Sequence, residues 1–110
     1  MRILLAAAAA GLSLVAAATA PAAAQGQRSY VLATATTGGT YYPVGVAIAT
    51  VVKVKLQATK QIDLSAISSA GSTENVKLLR ENQAQFAILQ GLVAQFAADG
   101  DGPFKNDGPQ

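Results

Sequence analysis

The 110-residue sequence contains neither cysteine nor histidine. Without cysteine there is no disulfide staple, no lipid-anchored cysteine at a cleavage site and no thiol chemistry. Without histidine a Ser-His-Asp triad and every histidine metal site are excluded. Charge is sparse as well, with 8 Lys and Arg against 6 Asp and Glu. Arg2 is one of those cations, so the chain beyond it is close to neutral. Lys53, Lys55, Lys60, Lys77, Arg80 and Lys105 are scattered among acids. There is no basic block of the kind nucleic-acid binding needs, and solvated helix faces account for these charges. A Walker A motif is missing. The run Thr37-Gly38-Gly39-Thr40 lacks the spaced glycines and later acidic partner of a dinucleotide fingerprint. Asp99-Gly100-Asp101-Gly102 lacks the rest of a calcium loop, including its distal glutamate.

What is abundant is alanine near the start. Arg2 opens the chain, residues 3–15 form an uncharged apolar run, and Ala22-Ala23-Ala24 offers a small-x-small site before Gln25. These are the three parts of a secretory signal peptide, so residues 1–24 are expected to be cleaved after Ala24. An earlier site, Ala18-Thr19-Ala20, is followed by Pro21, whose ring fits poorly after a scissile bond. The apolar run is shorter than the ~20 residues a membrane span requires. The hydrophobic fraction of 51% is inflated by this segment. No later run is long enough to cross a bilayer, so the mature product is expected to be soluble. It lies toward the short end of the common domain range of about 100–150 residues.

Beyond the linker at 25–29, residues 30–35 form a short apolar run suited to a strand buried on both faces. The glycine pair Gly38-Gly39 marks a loop. Pro43 fits the first turn of a helix, in which Val44, Ile48, Val51, Val52 and Leu56 recur at helical spacing. Residues 52–56 also alternate like a strand; the longer helical period favours helix. A second strand is expected at 62–69. Ser72 is a candidate N-cap and Glu74 suits the first turn of the next helix, with Val76, Leu79 and Leu78 as its buried stripe. Asn82 suits a helix stop. A third strand at 85–89 and a helix at 92–98 follow. Residues 25–98 are thus expected to form one α/β unit, and the Gly/Asp/Pro-rich residues 99–110 a flexible tail. Strand–helix alternation implies a parallel sheet with right-handed crossovers and helices on both faces.

In open α/β sheets ligands bind beyond the carboxyl ends of the strands. Three loops lie there, at 36–42, 70–73 and 90–91, each leading into a helix N-terminus. Free backbone N–H groups and the positive dipole end favour anions at such places. Glycines admit a ligand close to the backbone, and the hydroxyls of Thr36, Thr37, Thr40, Ser68, Ser69, Ser72 and Thr73 both donate and accept. No side chain in these loops can act as a base, so binding rather than catalysis is expected. A small carboxylate-bearing solute suits the loops.

The run Thr37-Gly38-Gly39-Thr40-Tyr41-Tyr42-Pro43-Val44-Gly45 resembles the opening motif of the TAXI proteins, the extracytoplasmic solute-binding subunits of tripartite ATP-independent periplasmic (TRAP) transporters. Ala70-Gly71-Ser72-Thr73-Glu74-Asn75 with Leu78-Leu79, then Gln85-Phe86-Ala87-Ile88-Leu89-Gln90, and Ala97, Gly100 and Gly102-Pro103-Phe104 continue the resemblance in order. Gln85 stands where that family usually has an acidic residue. The resemblance implies a type II periplasmic-binding-protein fold of two α/β lobes. It also implies a periplasmic location, a glutamate-like small carboxylate or amino acid as solute, and delivery to an ion-driven membrane permease. Carried over by position, Thr40, Tyr41, Ser72 and Gln90 are expected to contact solute, and the backbone of Gly38, Gly39 and Gly71 to line the site. No cofactor, metal or nucleic acid is implied. Such chains are about two to three times one domain's size, so only part of the first lobe is expected here and the second is absent. A fragment of a longer product and a truncated, non-binding remnant are both compatible with that length. An enzyme on the same two-lobed fold is the remaining alternative; it would need an acid, base or nucleophile that these loops lack.

Overall fold

A computed structural model describes residues 26–110; the expected export segment and its cleavage site lie outside the described residues. The chain runs β1 (Arg28–Ala33), α1 (Tyr41–Val52), a π-helical stretch (Lys53–Gln57), a last turn α2 (Ala58–Lys60), β2 (Ile62–Ile67), α3 (Ser72–Arg80), β3 (Phe86–Ala87), α4 (Gly91–Asp99) and a short 3₁₀ turn (Gly102–Phe104). The three strands form one parallel sheet in the order β2-β1-β3. This is the expected α/β architecture, a parallel sheet with helices packed on it. The first crossover moves to one side of β1 and the second passes back over it. Right-handed connections therefore set α1 and α3 on opposite faces of the sheet.

β1 is central; the end of its apolar run is buried, with Leu32 5% and Ala33 0% exposed, while Tyr30 and Val31 are half-buried. The strand starts two residues earlier than expected, because Arg28 N–H reaches Gln61 O at 2.7 Å. The ladder continues past Ala33 through Thr34 N–H to Ile67 O and Ser69 N–H to Ala35 O. β3 is shorter than its apolar run because only Phe86 and Ala87 sit in ladder register. Gln85 N–H donates to Val31 O and Ile88 N–H to Ala33 O just outside it. The exposed Gln85 also accepts Val31 N–H through its side-chain oxygen at 3.0 Å, which fastens the start of this strand. Residues 52–56 are helical, and the helix ends where Gln61 turns left-handed at φ 54°. Asn82, at φ 55°, breaks the chain after α3 as expected.

Two expectations are corrected. The first concerns the buried face of α1. Val44, Ile48, Val51, Val52 and Leu56 were its expected stripe; Val52 and Leu56 are half-buried, yet Val44, Ile48 and Val51 are 45%, 44% and 60% exposed. The residues that meet the sheet are Gly45 and Ala49. They are one turn apart, and their small size lets the helix backbone approach Leu32 and Ala66 closely. The second concerns residues 99–110, which are folded rather than flexible. Gly100, left-handed at φ 68°, caps α4. The chain then folds back so that Phe104 is fully buried with Val76 and Ala97, and Leu89, Val93 and Phe96 pack around them. Gln110 N–H closes on Ala97 O at 2.8 Å, and the Arg80 guanidinium donates to Gln110 Oε1 at 2.6 Å. A single aromatic ring supplies enough apolar area to hold an otherwise polar segment down.

Of the large side chains that α1 leaves uncovered, Ile48 borders a groove of about 640 Å³ between the helix and the sheet. Ile48, Val52, Leu56, Ile62, Leu64, Phe86 and Ile88 line it, with Tyr30 stacked edge-on against Phe86 at 5.8 Å. A surface of this kind should bind an environment-sensitive dye such as anilinonaphthalene sulfonate in the native state. Ile48→Glu places a charge in the groove and should lower the dye fluorescence while leaving the circular dichroism unchanged. Equal dye binding by that variant would show that the dye reports some other surface.

Candidate functional site

The strand ends deliver three loops to one edge of the sheet, and a second cavity of about 330 Å³ opens among them. Tyr41 enters it from the first turn of α1. Ala70, Gly71, Ser72 and Thr73 enter from the loop before α3, and Gln90 and Val93 from the start of α4. None of these lining residues is charged. The apolar groove is larger, but it lacks convergent polar groups; this smaller cavity has them, which is the mark of a solute site.

Local chemistry explains the loop geometry. Gly71 sits at φ 110°, ψ −161°, a conformation that suits glycine, and it occupies the N-cap position of α3. The Glu74 carboxylate, in the first turn, accepts Ala70 N–H and closes the loop from below. Ser72 is the first helical residue rather than the expected cap, because the turn at Gly71 brings the helix start one position earlier. Its hydroxyl oxygen accepts Gln90 N–H at 2.9 Å instead. That bond joins the starts of α3 and α4 across the cavity. Gln90 is extended, at φ −67°, ψ 137°, and its carbonyl accepts Ala94 N–H. The first-turn N–H groups of α3 and α4 have no intrahelical acceptors, and their dipoles present positive ends. A neutral cavity with hydroxyls, an amide and such backbone donors suits an anionic group better than a cationic one.

Of the residues expected to form the site, Tyr41, Gly71, Ser72 and Gln90 come together here. Gly38, Gly39 and Thr40 do not line this cavity. They form the turn before α1, where Gly39 N–H donates to Thr36 O at 2.9 Å. Thr40 already has helical backbone angles and makes no side-chain cap bond. Thr73, whose hydroxyl the sequence already marked in this loop, lines the cavity too; sequence reasoning passed over Val93 and, behind the cavity, Asn75. The last had a readable signal: Asn75 stands beside Val76 and three and four residues before Leu78 and Leu79, on the buried stripe of its own helix.

No curated protein matches this sequence. The profile of the NMT1-like family matches residues 32–110, a span that takes in every strand end and helix start of the cavity. The sheet, the cavity at its carboxyl edge and that match agree: the chain belongs to the NMT1-like family, a periplasmic-binding-protein-like family.

Proposed function

We propose that the protein is the solute-capturing subunit of a TRAP-type transporter, of the TAXI type, and that it takes up a glutamate-like carboxylate or amino acid. The observation that carries this reading is the cavity that gathers Tyr41, Gly71, Ser72 and Gln90 at the starts of three helices without a charged side chain. The motif series from Thr37 to Gly45 and from Ala70 to Asn75 supports the same reading. The solute carboxylate sits against the first-turn N–H groups of α3 and α4. Tyr41, Ser72 and Gln90 supply directional hydrogen bonds to the rest of the molecule. The protein acts by binding rather than by catalysis, is exported by its N-terminal segment to the periplasm, and hands solute to a membrane permease.

Calorimetric titration of the purified protein with L-glutamate, L-glutamine and related small carboxylates tests this. One of them should give saturable heat. Ser72→Ala, which removes the acceptor of Gln90 N–H, should weaken that binding about five- to tenfold, the loss expected for one hydrogen bond. Absence of heat from every small carboxylate and amino acid would overturn the proposal.

A further inference from the structure

Beneath the cavity one side chain touches the exits of all three strands. Asn75 is fully buried, at 0% exposed, on the inner face of α3. Its Nδ2 donates to Thr34 O, just past β1, at 2.6 Å and to Ile88 O, just past β3, at 2.9 Å. Its Oδ1 accepts the hydroxyl of Ser69, just past β2, at 2.6 Å. The direction of every bond is fixed by the partners. The two carbonyls only accept, so the amide nitrogen must face them, and the Ser69 hydroxyl, 2.6 Å from the amide oxygen and 3.2 Å from Thr34 O, donates to the nearer acceptor. This leaves the Ser69 oxygen to accept Gly71 N–H at 3.1 Å, as it does.

The geometry points to Asn75 as a positioning residue for the cavity, acting through Ser69 on Gly71 and through Ile88 on Gln90. It lines no part of the cavity, yet the two walls before α3 and α4 hang from it. One wall follows from Ser69 to Gly71 and Ser72. The other begins two residues beyond Ile88 at Gln90, and the Ser72–Gln90 bond joins them at the rim. Among the described residues every buried side-chain polar atom has a partner, so the network has no slack. Thr34 is fully buried and donates its own hydroxyl to Ile67 O at 2.6 Å, which makes the β1 end a fixed anchor. No other residue type meets these demands. Aspartate lacks the donors, and glutamine is one methylene too long for a packed interior.

The inference rests on the solute-capture reading for one arm of its test and is independent of it in the other. In the full chain, Ser69→Ala keeps Asn75 but cuts its link to Gly71, whereas Ser69→Thr retains the hydroxyl. Amide hydrogen exchange should speed up at Gly71 by about tenfold in Ser69→Ala, the size expected when a part-buried donor loses its acceptor, with β1 amides unchanged. Ser69→Thr should restore the slow exchange. Titration with L-glutamate should show the same order, with about tenfold weaker binding in Ser69→Ala and recovery in Ser69→Thr; the loss of the donor to buried Asn75 Oδ1 should also lower the melting temperature of Ser69→Ala, and Ser69→Thr should restore it. Asn75→Asp should reproduce the Ser69→Ala pattern more severely; if it does not fold, the Ser69 pair decides. Unchanged Gly71 exchange in Ser69→Ala, or exchange that rises equally throughout β1, would overturn the positioning role. If the wild-type protein takes no glutamate, the solute reading is in question, while Gly71 exchange still decides the positioning role.

Discussion

Replacing Phe104 by Ala should lower stability by about 3–5 kcal/mol, the range for emptying a fully buried aromatic site. The ring is 0% exposed and joins Val76 from α3 to Ala97 from α4. Neighbouring side chains are poorly placed to collapse into the space. Gly102, at φ 51°, already lies so close to Phe96 that an added Cβ would meet its ring at 2.8 Å. For a domain with a total stability of about 5–15 kcal/mol, the loss is a large fraction. The melting temperature should fall by at least about 12 °C, since each kcal/mol moves the transition by about 4–8 °C in a domain of this size. Urea denaturation followed by circular dichroism gives the first quantity, and a thermal scan gives the second. An unchanged midpoint would mean that residues 99–110 contribute nothing to the core and behave as a flexible tail.

The second large effect is expected at Gly45. On an exposed helix, Gly→Ala gains about 1 kcal/mol of helix propensity. Here a Cβ would stand 2.3 Å from Thr34 Cγ2. Thr34 is unable to retreat, because its hydroxyl is held by Ile67 O and its carbonyl by Asn75. The helix must move instead, and overpacking of this kind costs about 1–3 kcal/mol. The clash outweighs the propensity, so Gly45→Ala should destabilise. Adding Thr34→Ser removes the offending methyl and keeps the hydroxyl, and the remaining contacts of 3.5 and 3.6 Å are ordinary. The double variant should therefore recover most of the loss, a strong departure from additivity. Tyr41 lies one turn before Gly45, so the single variant should weaken solute binding as well. A Gly45→Ala protein as stable as the parent, or no recovery in the double variant, would contradict the close helix–sheet approach.

Much of this architecture could be read from the chain. The strand–helix alternation, the glycine-marked loops and the stripe of α3 are local patterns, and the structure follows them. The failures have a common physical origin. Periodicity finds the large apolar residues of a helix but does not say which of two adjacent stripes meets the sheet. At α1 the answer is the small stripe, Gly45 and Ala49, because close approach outweighs side-chain volume there. The composition of residues 99–110 reads as a solvated tail, and one phenylalanine overrides it through a contact that no local pattern records. The loops bearing the site follow from the rule about carboxyl ends. Which residues of a loop face inward depends on the path of the turn, and so Tyr41 reaches the cavity while Gly38, Gly39 and Thr40 stay outside it. Ser72 showed its capping chemistry in sequence, but its partner was chosen by α4, eighteen positions away.

The walls of the cavity come from positions 41, 70–73 and 90–93, on either side of two parallel crossovers. Parallel pairing is non-local, and contacts of this kind form only after long loops have closed. A chain in which β1 and β2 have paired but β3 has not holds Tyr41 and Gly71 without Gln90, and Asn75 lacks its Ile88 acceptor. Recognition therefore arrives with the third strand and not before it. Any molecule that the cavity holds binds the finished fold alone, and it draws the folding equilibrium toward that state in proportion to the logarithm of its concentration. Capture of the solute and completion of the sheet are in this sense one event.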